Sequence, residues 1–225
     1  MQYYPVFLDL RGKSCLVAGA GQVGRRKVSR LLQAEPARIT VLDPVLDPGH
    51  MPDPGHRSEL VLLHKEFDPG DLQGMFLVFA CTGDPETNSR ISELCQERGI
   101  LCNSANQARE SGFILPSLHT AGDLQIAVST SGKSPALAAK IRDSLSREYG
   151  PEYAWWLELL GRIRDRLLQL QGSSQENRDI FRSLMDERIL QALQDRDRQA
   201  LLAIMQARLP RELRPWLGEF TDGLF

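Results

Sequence analysis

The sequence predicts an α/β fold in which a parallel sheet is followed by a helical tail. Two observations support this prediction. Five short apolar runs lie between residues 14 and 103, separated by loops and by two amphipathic helical patterns, as in a sheet built from β-α-β units. From residue 150 onward the apolar residues recur with a helical period instead. We therefore expect a sheet domain, a short connecting segment and an all-α C-terminal domain.

A glycine-rich loop follows the first apolar run. Gly19, Gly21 and Gly24 have G-x-G-x-x-G spacing, and a helical pattern begins at once. In a dinucleotide site the first glycine permits the turn, the second lets the backbone approach the pyrophosphate, and the third lets helix and strand pack closely. The loop therefore predicts a Rossmann domain, with Gln22 and Val23 also binding the cofactor at the start of the helix. A glycine-rich turn that binds no nucleotide is the alternative.

An acidic residue follows the second apolar run. Asp43 lies about 20 residues after the glycines, where a carboxylate binds the ribose hydroxyls, and Pro44 comes next. Because a negative charge there repels a 2′-phosphate, the sequence favours NAD over NADP. Thr82 and Gly83 follow the fourth apolar run, and Asp84 comes after them. They are expected in the same crevice, since ligands collect at the carboxyl ends of parallel strands.

The composition excludes several classes of protein. The 225 residues include 27 Lys and Arg against 29 Asp and Glu, which gives no reason to expect nucleic-acid binding. No apolar run reaches the roughly 18 residues of a membrane span, and the N-terminus lacks a basic region followed by an apolar one. We therefore expect a cytoplasmic protein without a membrane partner. The four cysteines lack CxxC spacing, which predicts buried reduced thiols.

The alternating pattern stops near residue 113. Two short apolar runs, residues 113–118 and 124–129, predict a hairpin outside the main sheet. A hydroxyl-rich turn with one lysine then precedes a helix, an arrangement that suits a carboxylate or phosphate. It is not a P-loop, because Ala127 stands where that motif needs glycine, and plain helix capping by Ser134 is the alternative. The predicted substrate-binding residues of the turn are Ser129, Thr130, Ser131, Lys133 and Ser134.

The tail reads as three helices, residues 153–170, 175–193 and 198–209. Ser173 and Glu176 have the spacing of a capping box. An apolar stripe in the first helix predicts a core or a subunit interface. Its members are Leu157, Leu160, Ile163, Leu167 and Leu170. The predicted domains are 1–112 for the sheet, 113–149 for the connecting segment and 150–225 for the helices.

Several separated motifs together resemble the precorrin-2 dehydrogenase family of sirohaem synthesis. They are residues 5–10, the loop from Gly19 to Lys27, residues 81–84 with Asn88, Asn103, residues 113–117 and residues 129–138. The resemblance spans about residues 4–148. At 225 residues the chain is too short for the methyltransferase half of the fused sirohaem synthases, so it resembles the stand-alone form.

The resemblance implies an NAD-binding Rossmann domain, a central segment that forms a homodimer, and a helical C-terminal domain. It implies that precorrin-2 loses two hydrogens to NAD and becomes sirohydrochlorin. Some members also insert ferrous iron, so Fe²⁺ or Co²⁺ would be a further substrate if this chain retains that step; the residues that would bind metal are unknown. Because the tetrapyrrole carries several carboxylates, Arg25, Lys133 and the turn at residues 129–134 are expected to bind it.

One position departs from the family pattern. The family has an aspartate after the strand at Asn103, thought to be the general base, and the matching residue is Asn106. A neutral amide can hydrogen-bond the macrocycle but cannot take up a proton. In place of the aspartate, the general base would be Asp84, Glu110, His119 or water.

Two other functions stay open at this point. One is a sirohydrochlorin chelatase that has lost the redox role, and the other is an NAD(H)-binding redox sensor. A DNA-reading sensor would carry a basic helix, whereas the arginines of the tail are interleaved with acids such as Glu158 and Asp165, which is typical of a solvated face.

Overall fold

The computed structural model describes residues 3–105, 111–170 and 173–224. Contacts divide the chain into two compact units, residues 1–115 and 116–225. The first unit contains the parallel sheet, and the second contains the hairpin and the helices. The separate boundaries at residues 112 and 149 stay predictions.

Five parallel strands form the sheet of the first unit, in the order β3-β2-β1-β4-β5. The strands are β1 (Ser14–Ala18), β2 (Arg38–Leu42), β3 (Glu59–Leu63), β4 (Leu77–Ala80) and β5 (Leu101–Ser104). Helix α1 (Gln22–Gln33) follows β1, and helix α2 (Pro85–Glu97) follows β4. Short 3-10 turns at Pro48–His50 and Pro69–Leu72 flank β3. The five predicted strands and the parallel sheet are therefore confirmed.

The sheet is buried on both faces, which explains why its strands read as continuous apolar runs. Cys15 and Val17 of β1 pack with Val28 on the α1 side. Leu16 packs with Ile91 on the α2 side. All four cysteines are buried and free, as the sequence predicted.

The strand register aligns the carboxyl ends of the strands. Ala18 pairs with Leu42 on one side and with Ala80 on the other, and Ala80 pairs with Ser104. The chain after each strand therefore leaves from one edge of the sheet. Because β1 lies between β2 and β4, this edge has the switch point at which ligands bind in open α/β sheets.

The second unit begins with an antiparallel hairpin of β6 (Ser117–Ala121) and β7 (Leu124–Val128), outside the main sheet as predicted. Residues 113–116, predicted as strand, lie before β6. Helices follow through the rest of the unit. They are α3 (Pro135–Glu148), α4 (Glu152–Gln169), α5 (Ser174–Ser183), α6 (Glu187–Gln194), α7 (Arg198–Arg208) and α8 (Leu217–Thr221), with a 3-10 segment at Arg211–Trp216. Among the described residues, no helix is long and apolar enough to cross a membrane.

One prediction for the tail is wrong, and another is confirmed in part. The single helix at residues 175–193 is two helices, because Asp186 accepts the Arg188 N–H and so starts a new helix. The apolar stripe of α4 is confirmed at Ile163 and Leu167, which are buried, and Leu160 packs against the same core. Leu159 is fully buried, whereas Leu157 and Leu170 are exposed, so the buried face is centred on the i, i+4 row through Leu159. The capping box of Ser173 and Glu176 is confirmed.

Candidate dinucleotide site

Two glycines of the loop make contacts that no side chain would permit. Gly19 has φ +99°, and a Cβ on it would lie 2.3 Å from the carbonyl oxygen of Cys81. A Cβ on Gly24 would lie 1.8 Å from the carbonyl oxygen of Gly19. These positions therefore need glycine for the protein's own packing, between β1 and β4 and between α1 and the loop.

Gly21 differs, because a Cβ there would meet no atom within 4 Å. Its backbone, at φ −65° and ψ −175°, is open to any residue. The packing of the protein therefore does not explain this glycine, whereas a ligand approaching the backbone would. Gln22 and Val23 begin α1 next to it, and both are exposed.

The N-terminus of α1 is also prepared for an anion. No side chain caps it, and no acidic residue lies in its first turn. By contrast, Asp84 caps α2 and Ser134 caps α3. The first N–H groups of α1 have no partner within the helix. A phosphate or pyrophosphate fits this arrangement, so the described residues suit the phosphate group of a dinucleotide.

Asp43 reaches back to the glycine loop. Its Oδ2 accepts the Ala20 N–H at 2.7 Å, and its Oδ1 accepts the Val45 N–H at 2.8 Å. Each carboxylate oxygen keeps a further lone pair, so Asp43 can still accept from ribose hydroxyls. Pro44 follows it and is exposed. The position agrees with the sequence expectation, but the bond to the loop was not foreseen.

The loop after β4 is held by a buried amide. Asn88 Oδ1 accepts from the Thr82 N–H at 3.0 Å and from Thr82 Oγ1 at 2.8 Å, and its Nδ2 donates to the Thr82 carbonyl at 3.1 Å. Asn88 is 1% exposed. It therefore fixes Thr82 and the open, exposed Gly83 at the same edge as the glycine loop. The sequence alone did not indicate this role for Asn88. A polar residue on the inner face of an amphipathic helix is the signal that could have identified it.

Asp84 caps the N-terminus of α2. It accepts from the Glu86 N–H at 3.2 Å, from the Thr87 N–H at 3.0 Å and from Thr87 Oγ1. The Thr87 side-chain bond is the main cause that holds the pKa of Asp84 below its ordinary value. A carboxylate so stabilised in its charged form is a weak proton acceptor.

The other proposed catalytic residues divide into two groups. His119 is on β6, and its Nε2 donates to the Tyr149 carbonyl at 2.7 Å, which leaves Nδ1 as the acceptor nitrogen of the neutral ring. Asn106 and Glu110 lie outside the described residues. On either side of them, the Ser104 N–H donates to Ser111 Oγ at 3.0 Å.

The hydroxyl-rich turn of the second unit uses several of its groups internally. Thr130 Oγ1 accepts the Ser134 N–H at 3.1 Å, and Ser134 Oγ accepts the Leu137 N–H at 3.2 Å, so Ser134 does cap α3. Ser129 Oγ accepts the Ser131 N–H at 3.1 Å. Ser131 and Lys133 are exposed. Their side chains have no hydrogen-bond partner among the described residues, which leaves them available for a ligand.

Arg25 belongs to the first unit, in the first turn of α1, and is half-buried. The sequence Asp-Pro-Gly-His occurs twice, at residues 47–50 and 53–56. Both copies form turns, in which Asp47 and Asp53 accept the N–H groups of Gly49 and Gly55. Within the described ranges, no three His, Cys, Asp or Glu residues gather as a metal site.

The fold and the loop define a dinucleotide-binding α/β protein of the Rossmann class. Comparison with protein families agrees with this class. A family described as "Putative NAD(P)-binding" matches residues 6–117, and one described as "Sirohaem biosynthesis protein central" matches residues 121–148. The chain belongs to the sirohaem biosynthesis family that combines these two regions, as the N-terminal module of sirohaem synthases does, and its first unit is an NAD(P)-binding domain.

Individual relatives agree with this assignment. The chain is 33% identical over 202 residues to siroheme synthase of Enterobacter sp. (strain 638), covering 89% of this chain and 44% of that protein. It is 41% identical over 145 residues to siroheme synthase of Thioalkalivibrio sulfidiphilus, covering 64% of this chain and 29% of that protein. The chain thus spans less than half the length of these curated relatives.

A solved structure covers nearly the whole chain. The structure of "SirC, precorrin-2 dehydrogenase" is similar with a TM-score of 0.71 and 26% sequence identity, covering 91% of this chain and 100% of that one. The similarity therefore includes both units, the sheet and the helical tail.

Proposed function

We propose that this protein is a precorrin-2 dehydrogenase, which uses NAD to oxidise precorrin-2 to sirohydrochlorin in sirohaem synthesis. The observation that carries the proposal is the open space at Gly21 over the uncapped start of α1, next to a fixed Asp43. This dinucleotide site belongs to a chain whose central region is of the sirohaem biosynthesis family and whose fold resembles a precorrin-2 dehydrogenase.

NAD is favoured over NADP because of Asp43. Its carboxylate is held by two backbone N–H groups at 2.7 and 2.8 Å, so its charge is fixed near the ribose position. A 2′-phosphate would meet that charge, whereas ribose hydroxyls would donate to it.

When bound, NAD supplies the hydride acceptor of the reaction. The residues of the chain bind the cofactor and orient it. The N–H groups at the start of α1 hold the pyrophosphate, Asp43 orients the ribose, and Thr82 and Gly83 line the edge next to the glycine loop. The capping bonds of Asp84 make it a poor proton acceptor. The bond from His119 Nε2 to the Tyr149 carbonyl leaves Nδ1 as an acceptor nitrogen. We infer that the proton of the substrate goes to Glu110, to His119 or to water, with Asn106 bonding the macrocycle.

The carboxylates of the substrate need cations and free donors. Ser131 and Lys133 at the start of α3, and Arg25 on α1, are the residues that we propose for this role. Ser129, Thr130 and Ser134 shape the turn that presents the first two.

The homodimer is proposed through the hairpin and α3. A two-stranded ribbon is seldom stable alone, and α3 exposes Leu137 by 49% and Ile141 by 39%, one helical turn apart. A second copy of the chain would cover this stripe, as expected for a symmetric interface.

The decisive experiment is an anaerobic assay of purified protein with precorrin-2 and NAD, monitored by the absorbance of sirohydrochlorin. Turnover with NAD supports the proposal. Tight binding of sirohydrochlorin without turnover would contradict it and would favour a chelatase or a sensor. Addition of Fe²⁺ or Co²⁺ to the product then tests metal insertion, with Asp43→Ala as a variant in which weaker NAD binding slows the redox step.

A further inference from the structure

Lys27 extends from α1 to the carboxyl edge of the sheet and has no part in the function proposed above. Its Nζ donates to Asn103 Oδ1 at 3.3 Å and lies 5.1 Å from the ring centroid of Phe79. Burial is the main cause that lowers the pKa of Lys27. Among the described residues, no carboxylate pairs with it. A partly buried ammonium with only a neutral partner is costly, so packing alone is a poor explanation for this lysine.

Asn103, the hydrogen-bond partner of Lys27, also bonds to Phe113. Asn103 accepts with Oδ1 and donates with Nδ2 to the Phe113 carbonyl at 3.1 Å. The ring of Phe113 meets that of Phe79 edge-on, with centroids 6.0 Å apart. The Gly112 N–H also donates to the Cys102 carbonyl at 2.9 Å. The chain that leaves β5 after Ser104 is therefore held against β5 again at Gly112 and Phe113.

The ammonium determines which way the Asn103 amide points. A lysine ammonium has donors only, so it can donate to the Oδ1 side of the amide and cannot pair with the Nδ2 side. The Nδ2 side is thereby directed to the Phe113 carbonyl. A side chain without a donor at position 27 would leave the amide free to turn, and Phe113 would lose a partner.

We propose that Lys27 is a positioning residue, whose ammonium orients Asn103 and so holds the chain at Phe113 for the proton-removal step. The proposal rests on the proposed function, because residues 104–112 between these two anchors include the positions Asn106 and Glu110. Lys27 acts through Asn103 and not on the cofactor, whose proposed phosphate site lies at Gly21, the N-cap of α1.

The test compares Lys27→Met, Lys27→Arg and, as a matched control, Arg30→Met, which removes an exposed cation from the same helix. We expect kcat to fall by roughly 10- to 100-fold in Lys27→Met, with the KM for NAD unchanged. Lys27→Arg should recover most of kcat because it restores a charged donor, and Arg30→Met should behave as wild type. A raised KM for precorrin-2 at unchanged kcat would overturn the proposal, since Lys27 would then contact the substrate directly.

Two further measurements separate this proposal from the proposed function. Asn103→Leu should have the same defect, and the double variant should be no worse than either single one, because both break the same connection. Hydrogen exchange in the peptide covering residues 101–113 should accelerate in Lys27→Met and not in Arg30→Met. This readout needs no turnover, so it decides the role of Lys27 even if the wild type proves inactive. Unchanged exchange would contradict the proposal.

Discussion

The carboxylate of Asp43 accepts a hydrogen bond from the backbone N–H of Ala20 across 2.7 Å. This bond joins the end of β2 to the middle of the glycine loop. One side chain therefore shapes the loop that would bind the phosphates and presents the charge that would meet the ribose. Changes at Asp43 are expected to alter both the affinity for the cofactor and the choice between NAD and NADP.

Asp43→Asn should reduce the preference for NAD over NADP, because it removes the charge and keeps an oxygen that can accept the Ala20 N–H. We expect a change of about 1–3 kcal/mol in the difference between the two binding free energies, the usual value for a hydrogen bond to a charged group. Asp43→Ala should relax the preference equally and also weaken NAD, since the loop loses its support. Calorimetric titration of both nucleotides measures this, and NADP binding as tightly as NAD to the wild type would refute the assignment.

Gly21→Ala and Gly24→Ala should separate binding from stability. A methyl at Gly21 enters open space, so the cost in unfolding free energy should be about 1 kcal/mol or less, as for a helix N-cap, while NAD affinity falls. A methyl at Gly24 meets the Gly19 carbonyl, and overpacking of this kind costs about 1–3 kcal/mol or more. Thermal unfolding and NAD titration of the two variants distinguish the roles. Wild-type NAD affinity in Gly21→Ala would argue against a pyrophosphate at this position.

Asn106→Asp tests the proton acceptor. If the acceptor has moved to Glu110, His119 or water, the wild type should already be fast and the variant should change kcat little. If the lost aspartate matters, Asn106→Asp should speed the reaction by about 10²–10⁴, the usual contribution of a positioned base. Glu110→Ala and Asp84→Ala are the accompanying variants. Because capping already occupies Asp84, we expect its replacement to lower stability more than kcat, and the reverse outcome would reinstate it as the acceptor.

Leu137→Glu should disrupt the proposed homodimer, because it places a charge on the exposed row that Leu137 forms with Ile141. Light scattering at micromolar concentration should give a dimer for the wild type and a smaller species for the variant. Leu168→Glu is the matched control, since Leu168 is 65% exposed on α4, outside the proposed interface. A monomeric wild type would disprove this part of the proposal.

Asp186 should make the stability of the second unit depend on pH. Its carboxylate accepts from Arg188 at 2.7 Å and from Arg208 at 2.8 Å, and the Arg188 side-chain bond is the main cause that holds its pKa below the ordinary 3.8. A lowered folded-state pKa contributes stability that is present above pH 3.8 and lost as the pH falls below it. Asp186→Asn should thus lower the unfolding temperature at pH 7, and its difference from wild type should shrink below pH 4. A constant difference would contradict this, and Glu212→Gln controls for loss of a surface charge.

The strands and the glycine loop could be predicted from the sequence because each has a local signal. An apolar run followed by glycines specifies a strand and a turn through short-range sterics alone. The break at Asp186 was missed because the apolar period continues across it, and only a capping bond marks the new helix. Likewise, the links from Asp43 to Ala20 and from Asn88 to Thr82 depend on where the strands end relative to one another. No local pattern contains that information.

The position of β1 has a consequence for synthesis on the ribosome. β1 is the first strand made, yet it is the central one, and its pairing with β4 requires the chain as far as Ala80. Until then, the edge of β1 that later pairs with β4 stays open in the nascent β1-β2-β3 sheet, at Cys15, Leu16 and Val17. Such an edge is a template for pairing with other chains. Translation that stalls before residue 77 should therefore release products that aggregate or bind chaperones, whereas longer products close the edge themselves.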